Sequence, residues 1–142
     1  MMLLKLVCVL WTLPNTLLGV LLGVCSLPLG GGCQFLHGAL EFHGGLVAWL
    51  LKRLPNNIQA MTLGHSIIGR DPDALQVVRV HEHVHIRQYE KWGPFFIPVY
   101  LLLSFFMLMR GRNPYFDNPF EVEAYACSAR LHHSTGCVPK EN

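Results

Sequence analysis

Residues 79–93 of the chain read "RVHEHVHIRQYEKWG", and the spacing of their histidines decides how the rest of the sequence is interpreted. His81 and His85 are four residues apart, so a helix would project both imidazoles from one face, one turn apart. Two such ring nitrogens can hold one Zn²⁺. His83 is rotated by about 200° from His81 and should face elsewhere. The stretch predicts a metal-binding helix, with a solvated, histidine-rich helix face as the alternative.

Signals that begin and end a helix flank this stretch. Asp71 is a suitable N-cap, and Pro72 suits the first turn. Gly93 is a typical helix terminator. We therefore expect a helix from Pro72 to Trp92, preceded by a strand within "QAMTLGHSIIGR", residues 59–70.

Weaker patterns lie on either side of this helix. Residues 33–45, "CQFLHGALEFHGG", alternate in places between glycines and predict a short strand or hairpin. Residues 46–57 predict a short apolar helix that ends at Pro55. A last helix is expected from about Pro119 to His132.

Glu82 directly follows His81 and completes an HExxH motif. A carboxylate at this position can take a proton from a metal-activated water and later deliver it to a leaving amine, without being a ligand itself. A catalytic zinc also needs a third protein ligand. Neither the HExxHxxGxxH extension nor the inverted HxxEH order is present. The remaining candidates are acidic residues on the last predicted helix, Glu121 and Glu123.

The HExxH motif followed by an ExxA segment at 121–124 resembles the gluzincin branch of zinc metallopeptidases. The small single-domain gluzincins and the membrane-bound families with an ExxAD motif look closest, and the resemblance covers about residues 60–130. It implies a zincin-like fold and peptide-bond hydrolysis. Carried over by position, the Zn²⁺ ligands would be His81, His85 and Glu121. The general base would be Glu82.

The chain departs from this family pattern at Tyr125, where an aspartate is often found. The group that orients a zinc histidine is therefore not identified, and Asp117, Asn118 or a backbone carbonyl are candidates. Glu121 also has an alternative role, because with Asn118 as N-cap it would nearly complete a capping box. In that case Glu123 would be the third ligand.

His65 is a candidate substrate-binding residue. In the gluzincin fold an edge strand lies over the zinc helix and pairs with an extended substrate, and His65 lies on the strand predicted before that helix. A half-exposed histidine with a purely structural role is the alternative.

The composition suggests contact with a bilayer, since hydrophobic residues make up 51% of the chain and charged residues only 14%. A net charge of +2 does not favour a nucleic-acid partner. Residues 6–27, "LVCVLWTLPNTLLGVLLGVCSL", are long enough to cross a hydrocarbon core of about 30 Å. We expect residues 1–28 to be an uncleaved membrane anchor, with a signal peptide as the alternative. Residues 33–142 should then form one zincin-like domain.

A second apolar segment, residues 95–109, would be about 22 Å long as a helix and too short to span that core. A single crossing would also place the zinc helix and Glu121 on opposite sides of the membrane. We therefore expect this segment to lie in the lipid interface or to return on itself, with a buried core helix as the alternative.

Together these patterns predict an α+β, membrane-anchored mini-domain of the zincin type. The expected function is zinc-dependent hydrolysis of a peptide or protein substrate, with membrane lipid as a second partner. A non-catalytic metal-binding or structural membrane protein with a zincin-like fold is the first alternative. A membrane adaptor without metal, in which the histidines are surface residues, is the second.

Overall fold

Two antiparallel hairpins supply the strands of a mixed sheet in the computed structural model, which describes residues 2–133. The first joins β1 (Gly32–Leu36) to β2 (Ala39–His43), and the second joins β3 (Ala60–Leu63) to β4 (Ser66–Gly69). β2 and β4 pair in parallel, which gives the strand order β1-β2-β4-β3. β3 is therefore an edge strand.

The helices cover both faces of this sheet. In chain order they are α1 (Met2–Ser26), α2 (Gly45–Arg53), α3 (Pro72–Trp92), α4 (Phe96–Met109) and α5 (Pro119–His133). The mixed α+β class is thereby confirmed, and α3 has the predicted bounds. The end of the predicted domain, 134–142, lies outside the described residues.

The two hairpin turns explain one confirmed and one wrong prediction. The hairpin expected within residues 33–45 forms, with both turn residues, His37 and Gly38, at positive φ (50° and 82°). The single strand expected at 59–70 is wrong, because Gly64 adopts a φ of 64° and, with His65, turns the chain back. A glycine at the first position of a two-residue turn is typical of such hairpins.

α3 packs on one face of the sheet. Its N-terminus is capped by Asp71, whose carboxylate accepts a hydrogen bond from the backbone N–H of Ala74 at 2.7 Å. The carboxylate of Glu41 on β2 is fully buried below α3 and accepts hydrogen bonds from the Arg79 guanidinium at 2.7 and 3.0 Å. The apolar core between α3 and the sheet is formed by Ala39, Ala60, Ile67, Leu75 and Ile86.

α1 packs on the other face, next to α2. Gly19 and Gly23 allow this approach, because a Cβ at either position would collide with Ser66 or Phe42 of the sheet. The Asn15 side chain donates a hydrogen bond to the Gly93 carbonyl at 3.1 Å. Residues 1–28 were expected to be an anchor separate from the domain. In the structure, α1 covers one face of the domain's sheet.

Two helical stretches each contain an apolar window of 18 residues that lies mostly outside the core. Leu3–Leu29 and Pro72–Met109 are long and apolar enough to cross a membrane, and only 22% and 17% of their apolar windows are buried. These fractions are low for core helices. The apolar faces of α1 and α4 are therefore available for contact with lipid.

Candidate metal centre

Three side chains from two helices converge at one point beside the sheet. Nε2 of His81 lies 3.1 Å from Nε2 of His85 and 3.1 Å from a carboxylate oxygen of Glu121. The other oxygen of Glu121 lies 3.4 Å from Nε2 of His85. The histidines come from one face of α3, as their spacing predicts, and Glu121 comes from the first turn of α5.

These separations suit a zinc ion. A tetrahedral site with bonds of roughly 2.0–2.1 Å places its ligand atoms about 3.3–3.4 Å apart. All three side chains are buried, with exposed fractions of 8% for His81, 7% for His85 and 3% for Glu121. Two imidazoles and one carboxylate match the donor set of a catalytic zinc that keeps its fourth position open.

A hydrogen bond from Gln88 fixes the orientation and tautomer of His85. The Gln88 amide nitrogen donates to the Phe120 carbonyl at 3.1 Å and to the Glu123 carboxylate at 2.9 Å. Its oxygen must therefore face Nδ1 of His85, at 2.8 Å, and accept the proton there. In the neutral ring, Nε2 of His85 then carries the lone pair that a metal requires. Burial disfavours the charged ring, but its hydrogen bond to Glu121 and the charges of Glu82 and Glu121 raise the pKa of His85 to about 9, so a metal would displace a proton from this ring.

The ring of His81 is held by packing. Its Nδ1 is buried and has no hydrogen-bond partner among residues 2–133. The Tyr125 ring packs against it with the ring centroids 4.5 Å apart. Tyr125 thus orients the imidazole from the position at which the resembling families often carry an aspartate.

The Glu121 carboxylate does not cap α5. One of its oxygens accepts a hydrogen bond from the Tyr100 hydroxyl at 2.8 Å, in addition to its contacts with the histidines. The backbone N–H of Asn118, which a capping box would bind, donates to the Tyr115 carbonyl instead. The Asn118 side chain caps the helix through the backbone N–H of Phe120 at 3.0 Å.

The local electrostatics keep Glu121 ionised. Burial disfavours the charged carboxylate, but hydrogen bonds from the two histidines outweigh burial and lower the pKa of Glu121 to about 2. At neutral pH the site therefore holds a buried anion beside two imidazoles, of which His85 is protonated in the metal-free site. A metal cation that binds beside Glu121 would take the place of that proton.

Glu82 lies beside the cluster and is held by the edge strand. The Thr62 hydroxyl on β3 donates to one oxygen of the Glu82 carboxylate at 2.7 Å. Glu82, His85 and Glu121 line one cavity of about 350 Å³. The acid of the HExxH motif and two of the three candidate ligands thus face a common space that a small ligand can enter.

The structure leaves several candidate residues outside the cluster. His65 forms hydrogen bonds with Thr12 at 2.8 Å and Glu90 at 3.2 Å, and it does not line the cavity. Glu123, the alternative third ligand, bonds Gln88 instead. Asp117, a candidate for orienting a histidine, accepts a hydrogen bond from a loop N–H.

Three contributors to the site were missed at the level of sequence: Gln88, Tyr100 and Thr62. Gln88 had a usable signal, because it follows His85 by three residues and so shares its helix face. Tyr100 and Thr62 reach the site only through packing of α4 and β3, and no local pattern marks them.

Comparisons of this chain with protein-family models, with curated proteins and with solved structures find no match. The chemistry of the site therefore has to be argued from its own atoms. Those atoms are two imidazole nitrogens, a buried carboxylate and a second carboxylate beside a cavity. This arrangement can hold a divalent cation and can move a proton next to it.

Proposed function

We propose that this chain is a zinc-dependent metallopeptidase. His81, His85 and Glu121 would bind Zn²⁺, and Glu82 would be the general base. The observation that carries the proposal is the convergence of two imidazoles and one carboxylate: the two Nε2 atoms lie 3.1 Å apart, and each lies 3.1–3.4 Å from one of the two oxygens of Glu121, close to the edge of a tetrahedral zinc site. The fold that supports it, with an HExxH helix, an edge strand and a glutamate helix, is proposed to be zincin-like of the gluzincin type.

The proton transfers would belong to Glu82. Bound zinc supplies a Lewis acid that polarises the scissile carbonyl and makes water more acidic. Oε2 of Glu82 already accepts a hydrogen bond from the Thr62 hydroxyl. The other carboxylate oxygen, Oε1, would therefore accept the proton of the attacking water and pass it to the leaving amine. Gln88 and Tyr125 would keep the imidazoles in place throughout the reaction.

The substrate would lie along β3. This strand is at the sheet edge, and Ala60 and Thr62 line the cavity with Glu82. An extended peptide can add to such an edge through main-chain hydrogen bonds. His65 is now proposed to hold the hairpin turn against α1 and α3, because both of its ring nitrogens are engaged there.

The protein would act at a membrane. Support comes from the exposed apolar faces of α1 and α4, which the bilayer would cover. The Trp11 and Phe95 rings, 6.3 Å apart, connect these two faces. α4 has 14 residues, about 21 Å of helix, so we propose that it lies in the lipid interface and does not span it.

Metal analysis of the purified full chain tests the proposal directly. We expect one zinc per wild-type chain and none in His85→Ala. His83→Ala is the matched control, because His83 is on the same helix, faces away from the cluster and bonds the Arg79 carbonyl. It should retain zinc. Absence of zinc from the wild type after loading would refute the enzyme proposal.

A non-catalytic role is a second candidate, because the cluster also forms hydrogen bonds without metal. In that case it would serve to join α3 to α5. Glu82→Gln separates the two candidates, since it leaves all three ligands intact. Loss of peptide hydrolysis with full zinc content supports the peptidase. Zinc binding without hydrolysis of a quenched peptide library by the wild type supports the non-catalytic alternative.

A further inference from the structure

We propose that the cavity beside the metal cluster opens toward the membrane and takes an apolar segment of a membrane-associated polypeptide. This inference rests on the proposed peptidase function and names its substrate class. Three features carry it: the chemistry of the cavity wall, the position of the cavity mouth on α4, and the free edge of β3.

The cavity wall is apolar away from the metal cluster. Within the described part of the chain, its only acidic lining residues are Glu82 and Glu121, and neither lysine nor arginine contributes to the wall. Apolar side chains form most of the remainder, including Leu54, Ile58, Met61, Phe96, Ile97 and Leu101. Apart from the two carboxylates, the wall offers no charged side chain to a charged substrate group that loses its water there. The wall therefore favours a bulky apolar side chain next to the scissile bond.

α4 connects this wall to the outer surface of the protein. Leu101 lines the cavity and is also 60% exposed. Its neighbour Leu102 is 66% exposed and does not line the cavity. Phe105 and Phe106 continue the exposed apolar surface along the helix. The cavity mouth therefore opens within the surface proposed to contact lipid.

The charged residues that follow α4 determine how deeply this helix lies in the membrane surface. No charged residue lies between Phe96 and Met109, and Arg110 and Arg112 follow directly. Both arginines are exposed, and Arg110 lies over the Phe106 ring at 4.2 Å. Such arginines reach headgroups while their stems cover apolar surface. A mouth at Leu101 would thus lie close to the headgroup level, where segments emerging from the bilayer are accessible.

The free edge of β3 favours a polypeptide occupant. Leu63 pairs with Ser66 beside the turn, and Thr62 pairs with Ile67. In a two-residue hairpin, this register directs the backbone groups of Thr62 away from β4. The Thr62 carbonyl accordingly accepts a hydrogen bond from the Tyr89 hydroxyl, outside the sheet. A peptide backbone can use the remaining groups of such an edge, whereas an acyl chain offers them no donor or acceptor.

Side-chain preference is tested with two peptide hydroxamates that differ only in leucine or asparagine beside the zinc-binding group. Because the two side chains have similar shape, a difference in affinity between the two compounds reports the effect of side-chain polarity. With the zinc-loaded full chain in detergent, we expect the leucine compound to bind at least about tenfold tighter. Leu101→Lys should reduce this ratio. Leu102→Lys adds the same charge at a similarly exposed position off the cavity and should leave the ratio unchanged.

Entry from the membrane is tested in vesicles with the leucine compound joined to a transmembrane peptide. One version has a linker of two residues, which reaches about 7 Å, and the other has twenty residues. A mouth at the bilayer surface predicts that both versions bind with similar affinity. Binding of the long version alone would overturn membrane-side entry.

The outcomes separate this inference from the proposed function. Zinc-loaded protein that binds both hydroxamates without preference overturns the substrate class and leaves the metallopeptidase intact. Equal loss of preference in the Leu101 and Leu102 variants places the apolar contact outside the cavity and also overturns the inference. Failure to bind zinc removes both proposals together.

Discussion

The side-chain oxygen of Gln88 lies 2.8 Å from Nδ1 of His85 and fixes which ring nitrogen of that histidine can bind a metal. The amide cannot be reversed, since its nitrogen already donates to two oxygens of α5. One glutamine thus orients a ligand on α3 and connects it to the helix that carries the third ligand.

Gln88→Ala should weaken zinc binding by roughly 10–100-fold, as is typical for the loss of a group that orients a metal-binding histidine. The measurement is competition with a chelator of known zinc affinity. Glu123→Ala is the control, because it removes a partner of Gln88 without touching the bond to His85. An affinity in Gln88→Ala equal to that of the wild type would show that His85 is oriented by other contacts.

Tyr100→Phe should lower zinc affinity about tenfold, because the hydroxyl that donates to Oε1 of Glu121, the oxygen next to His85, is lost. Tyr89→Phe removes a comparable buried hydroxyl, the one that bonds the Thr62 carbonyl. It should reduce the free energy of unfolding by about 1 kcal/mol and leave zinc affinity unchanged. If the two variants have the same effect on affinity, Tyr100 does not act through Glu121.

The parts of the site that lie close together in sequence were predictable. The spacing of His81 and His85 and the signals at Asp71 and Gly93 depend on helix geometry alone, and α3 has the expected bounds. The family resemblance predicted that Glu121 is the third ligand. The spacing from Asn118 to Glu121 was equally compatible with a capping box, so the local sequence favoured neither role. Only the packing of α5 against α3 decides between them.

The parts that depend on tertiary packing were not predictable. An apolar helix with glycines four residues apart is typical both of a lipid-embedded anchor and of a helix packed closely on a neighbour. Gly19 and Gly23 therefore could not show that α1 covers a sheet. His65 was a candidate for the cleft because residues 59–70 were interpreted as one strand over the zinc helix, and the turn at Gly64 was not recognised.

Gly23→Ala tests the packing of α1. In an isolated membrane helix this change would be neutral or would stabilise by about 1 kcal/mol through helix propensity. In the folded chain the new methyl group would collide with the buried Phe42 ring, and we expect a loss of roughly 1–3 kcal/mol. Thermal unfolding in detergent measures the difference. Leu21→Ala, at a position that is 61% exposed, should have little effect, and equal stability of Gly23→Ala and wild type would favour a separate anchor.

Glu41→Gln should destabilise the fold by less than the roughly 3–5 kcal/mol typical of breaking a fully buried ion pair, because the Arg79 side chain remains 21% exposed. Burial disfavours the charged form of Glu41, but its bonds to Arg79 prevail and lower its pKa below the ordinary 4.5. A lowered pKa in the folded state stabilises the protein above the unfolded pKa and loses this effect as the pH falls through the folded value. The stability difference between wild type and Glu41→Gln should therefore shrink as the pH drops below 4.5. A difference that is constant across this range would exclude the ion pair as its source.

Thr62→Val tests whether the edge strand positions the general base. Valine keeps the shape of threonine but removes the hydroxyl that donates to Glu82 at 2.7 Å. Because no ligand is changed, zinc content should equal that of the wild type, while kcat for peptide hydrolysis should fall roughly tenfold. KM should change little, since substrate contacts with the strand backbone remain.

Thr62→Ser restores a hydroxyl at the same position and should recover most of the lost kcat. It serves as the control for Thr62→Val, because a general loss of stability would not be relieved by serine, which packs less well than valine. Equal kcat in all three proteins would mean that Glu82 is held without Thr62, and that β3 contributes only its backbone edge.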